Sequence, residues 1–148
     1  MPDQQGSKNN ILRLKLPIPP GINEQYATVK GHRVSTAVAR RFKQEVKQKL
    51  AMLEREGVLN EELHQRLRQG YLSLLLEFYF ETPLKRDLDG GLKIAQDALC
   101  EGLGLNDNRV VSIHLLKYID PLQPHLDVEL EALDEWRFDE EYVLLDQL

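Results

Sequence analysis

Residues 71–80 read Tyr71-Leu72-Ser73-Leu74-Leu75-Leu76-Glu77-Phe78-Tyr79-Phe80, the most apolar stretch of this 148-residue chain. Aliphatic and aromatic residues, uninterrupted by glycine or proline, predict a central strand. Downstream, apolar residues recur at helical spacing (Leu88, Leu92, Ala95, Leu99, Leu103), with Gly102 and Gly104 as stop signals. Two further strands are predicted over Arg109 to Tyr118 and His125 to Leu130, separated by a Pro121–Pro124 turn. Upstream, Leu12, Leu14 and Leu16 alternate with Arg13 and Lys15, a strand signature that ends in Pro17-Ile18-Pro19-Pro20-Gly21. Ser35 or Thr36 caps a predicted helix from about Ala37 to Arg55, with Val38, Phe42, Val46, Leu50 and Leu53 near one face and Gly57 as its breaker. Glu61 to Arg68 forms a further short helix or extends the connection. The order β, loop, α, β, α, β, β predicts an α/β (α+β) single domain, a mixed sheet packed with two main helices.

Length fits one domain with a real core. Residues 1–10 are polar and read as a flexible N-terminus, residues 11–133 as the domain, and residues 134–148 as an acidic C-terminal extension. No apolar run approaches the roughly 20 residues of a membrane span, and MPDQQGSKNN is not a signal peptide. The expected setting is cytoplasmic, with no membrane partner. Cys100 is the sole cysteine, which excludes an internal disulfide and a cysteine-ligated zinc site. The net charge of −5 is concentrated at the C-terminus. Of 24 acids and 19 bases, six acids and one base lie in residues 132–148, leaving 18 of each before them. The body is neutral, so any attraction to phosphate comes from local patches. In the tail, Trp136, Phe138 and Tyr142 are read as surface packing, with docking on a partner subunit or over a DNA groove as the sharper alternative.

Between the central strand and the following helix lies Arg86-Asp87-Leu88-Asp89-Gly90-Gly91-Leu92-Lys93, and after that helix comes Asn106-Asp107-Asn108. Carboxylate oxygens suit a hard cation such as Mg²⁺, and an ammonium stabilises an oxyanion, so these residues supply the groups for metal-assisted phosphodiester hydrolysis. A structural reading stands beside each. Aspartate is a favoured helix cap, Lys93 has Asp89 and Asp97 at i±4, and Asn-Asp-Asn favours a turn. One aspartate suffices as a cap, however, and two adjacent carboxylates repel unless a cation bridges them. Asp107 must fold back to meet Asp87 and Asp89, because the two loops start at opposite ends of the helix.

Other chemistries fail on spacing. A calcium loop starting at Asp87 needs glycine at 92 and glutamate at 98, which are Leu92 and Ala98. Gly102-Leu103-Gly104 lacks the third glycine of a dinucleotide fingerprint, and no phosphate-binding loop with Gly-Lys-Ser/Thr occurs. His32, His64, His114 and His125 have no metal-ligand spacing, and Ser73, Ser112 and Cys100 sit in no nucleophile motif.

The segment Arg86-Asp87-Leu88-Asp89…Lys93…Asp97-Ala98-Leu99…Gly104…Asn106-Asp107…Val110-Val111 resembles the RusA-type endodeoxyribonucleases, which resolve Holliday (four-way) DNA junctions. Leu16-Pro17-Ile18-Pro19-Pro20…Asn23…Tyr26 is similar to that family's proline-rich loop, and the resemblance extends over roughly residues 11–131. It implies a homodimeric fold with one Mg²⁺-dependent site per subunit (Mn²⁺ as substitute), cutting branched DNA by paired symmetric nicks in recombination and repair. It further implies that Asp87, Asp89 and Asp107 are the catalytic metal-binding acids and Lys93 the catalytic lysine. Candidate DNA contacts are Lys30, Arg33, Arg40, Arg41, Lys85, Arg86 and Arg109. Gly90 stands where the family pattern has asparagine, and Asn106 where it has the first acid of an Asp-Asp pair. The alternatives are a non-catalytic junction-binding or assembly protein on the same fold, and a metal-dependent nuclease for another nucleic-acid structure.

Overall fold

Side-chain alternation decides where the core lies. The computed structural model describes residues 9–139. Its strands are β1 (Ile11–Leu16), β2 (Tyr26–Val29), β3 (His32–Ser35), β4 (Tyr71–Phe80), β5 (Val110–Ile119) and β6 (His125–Leu133). The helices are α1 (Ala37–Arg55), α2 (Glu61–Gln69) and α3 (Leu92–Leu103), with α1 and α2 between β3 and β4 and α3 between β4 and β5. Along β4 every second residue is buried, Leu72, Leu74, Leu76, Phe78 and Phe80. Leu126, Val128, Leu130 and Ala132 of β6 and Leu12, Leu14 and Leu16 of β1 do the same. They join Phe42, Val46 and Leu50 of α1 and Ala95, Ala98 and Leu99 of α3 in one core. Each large apolar side chain buried there contributes roughly 1.5–3 kcal/mol.

The main sheet runs β1-β6-β4-β5, with β4 central as its sequence predicts. β6 pairs antiparallel with both β1 and β4, while β5 pairs parallel with β4, so the sheet is mixed. A parallel pair needs a crossover, and α3 supplies it. The predicted flexible start is ordered at Asn10, whose side chain donates to the Ala132 carbonyl at 3.0 Å. The rest of that segment, residues 1–8, lies outside the described residues, as does the tail from residue 140 onward, including Tyr142.

Three local expectations change. Val38 is 48% exposed and Ala39 takes the buried position, because the α1 stripe runs 39, 42, 46, 50, 53. The helix expected from Leu88 starts at Leu92, preceded by a 3₁₀ turn over Leu88–Gly91. A Cβ on Gly91 would lie 2.6 Å from Pro19 Cγ and 3.3 Å from Phe78, so the proline-rich loop packs directly on that turn. Finally, β2 and β3 form a separate two-stranded ribbon where the sequence reading placed only a loop.

Candidate active site

Asp87 and Asp89 occupy the turn that leaves β4 and enters α3. Asp87 holds the N-cap position of the 3₁₀ turn in extended conformation, yet its side chain makes no capping hydrogen bond. The capping account of this residue therefore fails, while Asp89 remains an acid in the turn's first residues, where the helix dipole favours it. Both are exposed. Asp87 lines a cleft of about 290 Å³ with Gly21, Ile22, Asn23, Glu24, Lys85 and Gly90, so the proline-rich loop forms the opposite wall.

Lys93 lies in the first turn of α3 and donates to both carboxylate oxygens of Asp97, at 3.1 and 3.2 Å. That hydrogen bond is the chief cause holding the Lys93 pKa above its ordinary value. The charge of Asp97 adds to it, with smaller contributions from Asp107 and Tyr26. Of the two i±4 partners open to Lys93 in the sequence, the structure selects Asp97.

Asp107 starts the 3₁₀ turn ahead of β5, and Asn106 caps that turn by accepting from the Asn108 amide at 3.1 Å. This gives Asn106 a structural task that needs no charge. Asp107 shares a groove of about 420 Å³ with Asp97, Cys100, Glu101, Leu105 and Asn106. Burial, followed by the charges of Asp107, Asp97 and Glu101, pushes the Cys100 thiol up to about 11. It stays protonated at neutral pH and is no nucleophile.

The predicted site residues are thus strung along α3. The twelve residues from Leu92 to Leu103 span about 18 Å at roughly 1.5 Å per residue. Asp87 and Asp89 stand before this helix and Asp107 after it. Asp107 precedes the start of β5, which the parallel β4–β5 pairing sets beside the start of β4, at Leu72 and Val110, and it is near enough to Lys93 to act on its charge. The Lys93–Asp97 pair lies between. Among the described residues, no group of three His, Cys, Asp or Glu side chains is placed to hold a metal ion. The donor type at Asp87 and Asp89 suits Mg²⁺, which commonly takes only one or two carboxylates besides water and substrate oxygens. Asp107 acts on the charge of Lys93 and shares its groove with Asp97, the partner of Lys93.

The proposed DNA contacts also divide. Arg86 donates to the Pro19 carbonyl at 2.7 Å and lies over the Phe80 ring, and Arg109 donates to the Gly70 and Gln69 carbonyls at 2.8 Å each. Both guanidinium groups brace the fold. Arg40 bonds the Ser35 carbonyl. Lys30, Arg33, Arg41 and Lys85 are exposed, and Arg33 stacks over Tyr26 with its guanidinium carbon 4.0 Å from the ring centre. His64 is satisfied by the Leu103 carbonyl at 2.8 Å, and His125 stacks on Tyr79. In the tail, Phe138 packs edge-on against Tyr71 at 5.4 Å and Trp136 packs against Phe138, so the described part of the tail lies on the body of its own chain.

Two residues that the sequence reading did not assign to the site emerge here. Asp97 had its signal in the i,i+4 spacing to Lys93. Gln25 had none: a single glutamine after a proline-rich loop reads as surface, yet it is only 2% exposed. No helix among the described residues is long and apolar enough to cross a membrane.

A family model described as endodeoxyribonuclease RusA matches residues 17–131, and the chain belongs to that family. No curated protein matches the chain at a significant level.

Proposed function

We propose that this RusA-family chain is a divalent-metal-dependent endodeoxyribonuclease that resolves four-way DNA junctions by paired nicks, with Asp87, Asp89, Lys93 and Asp107 at its catalytic centre. The family match over residues 17–131, which spans all four residues, carries this reading. Mg²⁺ is the proposed cofactor, with Mn²⁺ as substitute; bound, it supplies Lewis-acid activation of the scissile phosphate and of water. Asp87 at the cleft and Asp89 on the adjoining turn offer it oxygens, and Lys93, kept protonated by Asp97, offers a cation to phosphate oxygen. Residues 11–133 make up the proposed nuclease domain, outside which the acidic extension 134–148 stands.

The exposed apolar edge of the main sheet favours action as a homodimer. β5 is one of the sheet's two edge strands and exposes Ile113, Leu116, Tyr118 and Ile119, each about 40% accessible. A long apolar edge without a guarding charge is a template for another strand. Its one lysine, Lys117, is bent back to donate to the Arg86 carbonyl at 2.8 Å. That contact sets the Asp87 turn beside the C-terminal half of β5, while Asp107 precedes its start. Two copies paired antiparallel along β5 therefore bring Asp107 of one toward Asp87 and Asp89 of the other, under a two-fold axis that suits a four-way junction.

A nicking assay on synthetic four-way junctions, linear duplexes and flaps, with and without Mg²⁺, tests the activity. Metal-dependent paired nicks on the junction are expected, and Asp89→Asn should slow cutting by at least about 100-fold. Equal cutting by that variant sinks the site assignment, and absence of divalent-dependent cutting on every substrate sinks the enzyme. Mixing Asp89→Asn with Asp107→Asn tests the dimer. Acids shared across subunits regenerate one intact site in the mixed dimer and restore nicking, whereas acids confined to one chain do not.

A further inference from the structure

The β2–β3 ribbon is a small β-structure that buries none of its own residues: all of Tyr26–Val29 and His32–Val34 are exposed. An isolated two-stranded hairpin is at best marginally stable in water, so this one persists because its base is fastened. Thr36 donates its backbone amide to the Gln25 carbonyl at 3.0 Å and its hydroxyl to the Glu24 carbonyl at 2.6 Å. Gln25 itself is the sole buried polar residue among those described, and its amide nitrogen donates to Pro20 and to Gly90, each at 3.0 Å. Gly90 belongs to the turn that carries Asp89.

The ribbon's charge is as unusual as its exposure. From Gln25 to Gln44 the chain has Lys30, Arg33, Arg40, Arg41 and Lys43 and no acid, within a protein of net charge −5. At the tip, Lys30 (φ 52°) and Gly31 (φ 80°) form a two-residue connection between paired Val29 and His32. Positive φ at both positions favours Asn-Gly, and a lysine held there is strained. The tip keeps a cation at the expense of the better turn former. Tyr26, at the other end of β2, is close enough to Lys93 to act on its charge.

Resting on the nuclease reading above, we propose that the β2–β3 ribbon grips the sugar-phosphate backbone of a duplex arm, and that buried Gln25 is a positioning residue tying the ribbon's base to the Asp87–Asp89 turn. Charge complementarity selects the occupant. An acid-free, cation-tipped ribbon is matched to a polyanion, and a two-stranded β-ribbon fits a DNA groove. Engagement of the arm is then transmitted through two hydrogen bonds to the turn on which the acids stand.

The test measures binding of a synthetic four-way junction across a salt series, and single-turnover cutting at saturating protein. The double variant Lys30→Asn/Arg33→Gln keeps a turn-compatible tip and removes two cations. Its salt slope should become shallower by roughly 2 per subunit, at about 0.9 per lost phosphate contact, and so by about 4 in the homodimer, with affinity falling tenfold or more at physiological salt. Gln25→Met should leave affinity within threefold while the saturating rate falls roughly 10- to 100-fold, as misplacement of catalytic groups does. Gln25→Glu, which keeps the shape and removes the amide donor, should show the same split. Unchanged affinity and slope in the double variant overturn the ribbon's role, and equal or absent effects on binding and rate in both Gln25 variants overturn the tether. A wild-type protein that binds but cuts no DNA defeats the nuclease reading instead, and the salt series still reports on the ribbon.

Discussion

In β4 five of ten residues are buried, whereas across the eight residues of β2 and β3 none is. Both are β-structure, but they are held by different forces. The sheet is held by what its side chains touch, and the ribbon by hydrogen bonds at its two feet. Side chains in the first are committed to packing and in the second are available for other contacts. The neutral body and the acid-free ribbon follow the same division, since a surface that attracts phosphate needs no interior.

Substitutions can break this contrast. Phe78 is fully buried and stacked 5.5 Å from Phe80, so Phe78→Ala should lower unfolding free energy by about 3–5 kcal/mol in a urea titration. A loss under 1 kcal/mol would mean that the sheet is not where stability resides. Gly91→Ala tests the seam between the regions, where the turn meets Pro19. Overpacking there should cost about 1–3 kcal/mol and slow cutting as well, because the displaced turn carries both acids. Stability lost without any effect on cutting would separate packing from catalysis at this point.

At the same seam, Asp97→Asn removes the main cause of the raised Lys93 pKa. Lys93 is charged below its pKa, so with that pKa lowered it loses its proton at a lower pH. The alkaline fall of the cutting rate should begin earlier in the variant, and superimposable pH–rate profiles would release Lys93 from the rate-determining chemistry. The smallest effect belongs to the ribbon itself. Val29, 51% exposed, should accept threonine with a change under about 0.5 kcal/mol; a larger loss would reveal a packing role that the ribbon's exposure hides.

The same division explains what was legible beforehand. The residues that build the sheet and α1 announce themselves through spacing, since a buried face must repeat every second residue or every three to four. Tyr71–Phe80 and Ala37–Arg55 were readable for that reason. The ribbon has no buried face and so no periodic signal; Lys30-Gly31 between Thr28-Val29 and His32-Arg33-Val34 was its only mark. Within the site, the Asp87, Asp89 and Lys93 grouping could be read locally. The position of Asp107 could not, because it depends on β5 lying parallel to β4, a property of the whole sheet. Gln25 was invisible for a different reason: its amide bridges the nearby Pro20 carbonyl and the Gly90 carbonyl, which lies 65 residues away in the chain.

Cys100 has a practical consequence of another kind. The chain's only thiol is buried and stays protonated well above neutral pH. A maleimide dye added at pH 7 should therefore pass it by. His32→Cys, beside the tip on the exposed β3, would be labelled in an otherwise natural background, so the ribbon's tip could be followed by fluorescence as it meets DNA.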